Sequence, residues 1–315
     1  MKKLIILLSL FSGLFFSTAA KAQINLLKKA ARTLKVSDKL PNVLENQPIT
    51  TNLNDVRKDS IMLESFIPKE SKRSLLTLQR SANGGFILNN GYYEFKDQSY
   101  CLKAGTHGPG GGDGYGFAPP KGPAEDAVMS IVRNSVQHPE IHQHDIQILL
   151  WAIIARSKFE DLQPELKLTA AKLLTASQLA RLNRNAMNFL PAPIMNQVKS
   201  SFPPFIQQIA EAENQLRSML TSGNASYTEM ERVAVLSGIA PKGDGSIEIP
   251  SGRWFLHPDG YYVRYLPSGY STTLLEIWVP QGSHAVGKEF DPATHIAVPG
   301  NTARQRLIQS GRPQN

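Results

Sequence analysis

The chain has 315 residues, about two domains' worth by length, and its 41% apolar and 19% charged content is that of an ordinary folded protein, which excludes disorder as the general state. Its single cysteine, Cys101, excludes an intramolecular disulfide, a zinc ribbon and a thiol-ligated cluster built from this chain alone. The formal charge is +8, but the basic residues are scattered rather than gathered on one face or arm, so nucleic acid is not an expected partner.

The chain opens with two lysines, an apolar run from Leu4 to Phe16 and the small residues of Ala20-Lys21-Ala22. That order predicts a secretory signal peptide over 1–22, cleaved before Gln23, and therefore an exported protein, periplasmic or extracellular. This apolar run is 13 residues long, shorter than the roughly 20 that span a bilayer, so no transmembrane span is expected in the mature chain. Nucleotide and nicotinamide cofactors are scarce outside the cytoplasm, and none is expected. A near-match to a phosphate-binding loop at Gly282–Lys288 places Glu289 where a magnesium-liganding hydroxyl is required.

Residues 23–83 read as an irregular segment with one or two short helices. Residues 84–122 read as a β-hairpin unit with a glycine-rich loop: Phe86-Ile87-Leu88 and Tyr92 to Phe95 flank the turn Asn89-Asn90-Gly91, Tyr100 to Leu102 make a third short strand, and seven glycines fall within Gly105–Gly116. Residues 123–240 read as a helical domain. Ala127, Val128, Ile131, Val132 and Val136 form one stripe, and Ile146 to Ala155 is apolar at every position but Gln147, which predicts a helix buried all round. Further helices are expected from about Glu165 to Leu182, Pro204 to Leu220 and Tyr227 to Leu236. Residues 246–299 read as an aromatic β-meander, with strands at Arg253–Leu256, Tyr261–Leu266 and Thr272–Val279 separated by turns at His257-Pro258-Asp259-Gly260 and Pro267-Ser268-Gly269. Residues 300–315 read as a basic tail with a short helix from Ala303 to Ile308.

The predicted architecture is α+β: a central α-helical bundle with a small N-terminal β-hairpin unit and a C-terminal antiparallel β-meander. Three groups of residues could carry function. Cys101, His107 and Asp113 supply a thiol nucleophile, its base and an orienting carboxylate for a hydrolase or transferase, although a cysteine in a strand lacks the usual activation by a helix N-terminus or a cation. His138, Glu140, His142 and His144 could ligate a divalent transition metal, but their spacing matches no established metal motif. Tyr115 and Phe117 on the glycine loop, with Trp254, Tyr262 and Arg264 on one face of the meander, suit contact with an envelope glycan, a peptide or a protein partner. The leading expectation is an exported, non-catalytic binding or scaffolding protein of the cell envelope or the extracellular space.

Overall fold

The structure is a computed structural model and describes residues 47–61, 66–110, 112–186 and 204–314. The expected leader, residues 1–22, lies outside the described residues. The chain divides into two compact units, residues 1–46 with 188–208 and residues 47–187 with 209–315. Of the first unit, only the opening turn of one helix is described; the architecture below is that of the second.

The dominant element is a sheet, not a helical bundle. Its strands are β1 (Lys72–Ser74), β3 (Gly91–Cys101), β5 (Tyr115–Ala118), β7 (Phe255–Leu256), β8 (Tyr262–Pro267), β9 (Thr272–Val279), β11 (Ile296–Pro299) and β12 (Leu307–Pro313). They run in the order β5-β11-β12-β3-β9-β8-β7, antiparallel throughout, with β1 added in parallel beside the first half of β3. The sheet curls until its two ends meet: Phe117 of β5 and Phe255 of β7 lie edge to face at 6.2 Å. Gly116 permits that approach, because a Cβ there would come within 3.0 Å of the Phe255 ring. The result is barrel-like and nearly closed, filled by residues such as Phe95, Val263, Tyr265, Leu275, Ile277 and Leu307. Two short pairs complete the strands, β2 (Phe86–Ile87) with β10 (Glu289–Phe290) and β4 (Thr106–His107) with β6 (Val235–Leu236).

The expectation of a helical core failed because a buried helix can satisfy its apolar surface against a sheet as well as against other helices. Among the described residues the α-helices are α1 (Glu125–Ser135), α2 (Gln143–Ile154), α3 (Pro164–Leu173), α4 (Ala176–Ala186), α5 (Pro204–Ser222) and α6 (Tyr227–Ala234). The long helix expected from Glu165 breaks at Leu174, whose backbone is extended (φ −127°, ψ 148°). Helix α2 is buried as its sequence predicts, but it lies on β3 as well as on α1, α3 and α6. No described helix is long and apolar enough to cross a membrane.

The contact between α2 and β3 is polar. Strand β9 pairs with β3 as far as Gln98 and the Ser99 N–H still donates to the Ser271 carbonyl at 3.1 Å, but on that side the backbone of Cys101 runs past the end of its neighbour. Glutamines of α2 take over. Gln147 accepts from the Cys101 N–H at 2.8 Å and donates to the Cys101 carbonyl at 3.1 Å, while Gln143, one turn earlier, donates to Ser271 and Ser99 carbonyls at 2.7 and 3.3 Å. One turn later, Trp151 Nε1–H donates to Cys101 Sγ at 3.2 Å. Spacings of four on a helix and two on a strand each keep side chains on one face, which lets the two elements match.

Two local expectations also changed. The turn at Asn89-Asn90-Gly91 does not close a hairpin, since β2 pairs with β10 and Asn90 Nδ2 donates to the Pro280 carbonyl at 2.7 Å. The stretch expected to be a basic tail is an interior strand: β12 lies between β11 and β3, buried at every position but Pro313. Arg306 just before it and Arg312 near its end act as staples, Arg306 donating to the Thr51 carbonyl and Arg312 Nη2 to the Ile141 carbonyl at 2.9 Å. The expected meander is present as β7, β8 and β9.

Replacing Gln147 by leucine leaves the buried N–H and C=O of Cys101 without partners. Each such group costs about 1–3 kcal/mol, so Gln147→Leu is expected to lose roughly 2–5 kcal/mol in urea unfolding. A variant within about 0.5 kcal/mol of the parent, the range of an ordinary surface change, would show that the amide is dispensable.

Candidate functional site

The thiol set does not assemble. Cys101 is fully buried, its sulfur accepts from Trp151, and burial pushes its thiol up to about 11, away from the reactive thiolate. His107 sits on β4 with Nδ1 buried and without a hydrogen-bond partner, and Asp113 forms an ion pair with Arg304 at 2.6 Å. No hydrogen bond joins any two of the three. The glycine loop packs on the chain itself: a Cβ at Gly114 would stand 2.0 Å from the Ile249 carbonyl oxygen, and one at Gly110 would stand 2.5 Å from the Arg304 guanidinium.

The histidine-rich turn between α1 and α2 is held by Arg312 rather than gathered around a common centre. His138 Nδ1 lies 3.0 Å from Glu140, which also pairs with Lys172 at 3.1 Å; His142 is exposed at the start of α2; and His144 stacks on Tyr227 at 3.8 Å. Among the described residues, no three histidine, cysteine, aspartate or glutamate side chains come together in a way that could hold a metal.

On the meander, Trp254 is fully buried beneath Phe66, which stacks on it at 5.5 Å, and beneath the Arg264 guanidinium at 4.4 Å. Arg264 is ion-paired with Glu276, and Tyr262 stacks on Trp278 at 5.1 Å. Trp254, Tyr262 and Arg264 are thus each engaged by neighbours within the chain. Tyr115 is buried, and Phe117 lines a cleft.

That cleft, 530 Å³ in volume, opens where the sheet closes. Three strand ends build it: Phe117 on β5, the turn His257–Gly260 between β7 and β8, and the residues leading into β11. The turn is tied by His257 N–H to the Tyr261 carbonyl at 2.7 Å and Gly260 N–H to the His257 carbonyl at 2.8 Å. Before β11, Asp291 caps the single 3-10 turn Pro292–Thr294, which delivers His295 to the cleft.

Both histidines are packed among rings. His257 lies between Phe117 (5.4 Å) and Tyr261 (4.3 Å); His295 stacks on Phe290 (5.4 Å) and meets His257 edge to face at 5.1 Å. Burial, the largest effect, lowers His257 to about 4 and His295 to about 3, so both are neutral at neutral pH. Their tautomers follow from their neighbours. The Asp259 backbone N–H donates to His257 Nδ1 at 3.1 Å, which leaves the proton of the neutral ring on Nε2. Asp259 Oδ2 is 3.4 Å from the same nitrogen, but its charge is met by Lys288 at 2.8 Å. His295 Nδ1 faces the Asp291 carbonyl at 3.1 Å, which can only accept, and Thr294 Oγ1 at 3.0 Å, whose own proton goes to that carbonyl. His295 therefore carries its proton on Nδ1 and offers a lone pair at Nε2.

Around the histidines the carboxylates are matched by cations: Asp55 with Lys121 at 2.6 Å, Asp259 with Lys288, and Asp291 with Arg133 at 2.6 Å. Burial still holds the Asp291 carboxyl above the usual range despite Arg133. None of His257, Asp259, Asp291 or His295 stood out in the sequence. The turn signal at His257–Gly260 was visible, but its convergence with residues 117 and 295 depends on sheet closure. The chain matches no known family, no curated protein and no solved structure.

Two measurements follow. A thiol raised to about 11 is ionised to roughly one part in several thousand near pH 7.5, so Cys101 should resist an aromatic disulfide reagent in the folded protein and react in 6 M guanidinium; stoichiometric labelling of the folded chain would contradict its burial. For His295, the unfolded chain takes up a proton below its ordinary value of about 6.5 that the folded chain refuses until about 3, so stability drops as the solution is acidified through that window. Replacing His295 by phenylalanine, which keeps the ring packing, should flatten the decline between about pH 6 and 4 by roughly 1.4 kcal/mol per pH unit. Parallel stability curves for parent and variant would refute the assignment.

Proposed function

We propose that this chain is an exported binding protein of the cell envelope or the extracellular space, and that it holds its ligand in the cleft formed by Phe117, His257 and His295 without acting on it covalently. The observation that carries the reading is the pair of neutral imidazoles on the cleft wall, each with one nitrogen committed to the chain and the other edge uncommitted. Groups that titrate at about 4 and about 3 form hydrogen bonds at neutral pH but are poor proton carriers, whereas a general base works best when poised near the operating pH. The cleft volume falls in the about 300–1,000 Å³ typical of small-molecule sites. A thiol hydrolase would require Cys101 to leave its contact with Trp151, and metal capture would require His144 to leave Tyr227.

A photo-crosslinking residue at Pro258, on the exposed rim, should give a covalent adduct in cells, recovered outside the cytoplasm. The same residue at Ile239, exposed but not part of the cleft lining, should give none. Equal adducts at both positions, or none at Pro258, would overturn the cleft as the binding site; adducts confined to the cytoplasm would overturn export.

A further inference from the structure

Resting on the cleft as the binding site, we infer that the ligand is a neutral saccharide, one of whose hydroxyl groups is held between His257 Nε2–H and the lone pair of His295 Nε2. The two rings present opposite hydrogen-bonding polarity: one can only donate from its uncommitted edge and the other can only accept. Their centroids are 5.1 Å apart. A hydroxyl is the simple group that accepts and donates through one atom, and it satisfies both edges together. A carboxylate or phosphate would meet the lone pair of His295 unfavourably, and an ammonium would meet the proton of His257.

The charge arrangement points the same way. The charged groups lining the cleft are Asp55, Asp259, Asp291, Glu289, Arg57 and Arg133; the three aspartates are ion-paired within the chain, Arg133 being the partner of Asp291, Glu289 is hydrogen-bonded by Ser81 and Asn83, and Arg57 is also engaged within the chain. A charged ligand would have to compete with these pairs, while a neutral polyhydroxyl ligand can use the remaining oxygen lone pairs as acceptors and leave the pairs intact. Pairing also fixes the planar carboxylate and guanidinium groups, which limits the ordering cost on binding. Phe117 supplies apolar surface at the cleft wall for the C–H face of a sugar ring.

Long-range ¹H–¹⁵N correlation spectra of the mature protein, labelled with ¹⁵N, read the tautomers directly. The inference requires a proton on Nε2 of His257 and on Nδ1 of His295; the same tautomer on both rings overturns it. Titration should then use neutral gluco-, manno-, galacto- and N-acetylglucosamine-configured oligosaccharides, with glucosamine and glucuronate as charged comparators. At least one neutral series is expected to shift both Nε2 signals at millimolar concentration, the comparators neither. His257→Phe and His295→Phe should each weaken that binding roughly tenfold, the loss of one hydrogen bond. If adducts form at Pro258 but no neutral saccharide moves either imidazole, the saccharide is wrong and the cleft stands. If no adduct forms at Pro258 either, the binding reading itself has failed.

Discussion

The unmatched end of β3 governs how the rest of the protein is put together. This strand is the longest in the sheet and has different neighbours along its length: β1 beside Tyr92–Glu94, β9 as far as Gln98, β12 over its second half, and no strand on the β9 side of residues 99–101. Buried backbone groups left without partners would be costly, and two glutamines of α2 remove that cost by acting as surrogate rungs of the ladder. A helix that would otherwise be an apolar rod is thereby held in register against the central strand. Trp151 continues the same stripe and covers Cys101.

The same strand connects this anchorage to the cleft. With β3 placed in the middle, β12 and β11 extend the sheet on one side, β9 and β8 on the other, and the curl brings Phe117 against Phe255. The three connections at that end are then neighbours, although they come from residues 117, 257–261 and 291–295. Packing histidines among Phe117, Tyr261 and Phe290 costs them their charge, and the loss defines their chemistry. Neutral rings have tautomers, and each tautomer here is set by a backbone group one turn away, the Asp259 N–H or the Asp291 carbonyl. The buried carboxyl of Asp97 follows the same rule: it accepts from the Gly311 N–H at 2.9 Å and is held well above the usual range by burial.

Local signals were legible where the partners are close in sequence. The meander was readable because alternation and turn residues specify β7, β8 and β9 almost without outside help, and most of the helices were readable from their stripes and from acidic first turns. The sheet was not readable as a sheet. Strand β12 carries Gln309, Ser310, Gly311 and Arg312, a polar sequence that looks like a tail, and its burial is offset by bonds from the Ser310 hydroxyl to Gln98, from the Gly311 N–H to Asp97 and from Arg312 Nη2 to Ile141. The site was hidden for a related reason. Cys101, His107 and Asp113 are near in sequence and share no hydrogen bond, whereas His257 and His295 are far apart in sequence and in ring contact.

Sequence alone determined the identity and approximate span of the meander and of most helices, the burial of α2, and the limits that one cysteine places on covalent and metal chemistry, because these follow from periodicity and composition within a few turns of chain. Tertiary structure decided that a curled sheet rather than a helical bundle organises the core, and that the cleft belongs to His257 and His295. Both outcomes depend on which distant backbone groups meet. A glutamine on a helix does not reveal that it will complete a strand, and a histidine in a turn does not reveal which nitrogen will keep its proton.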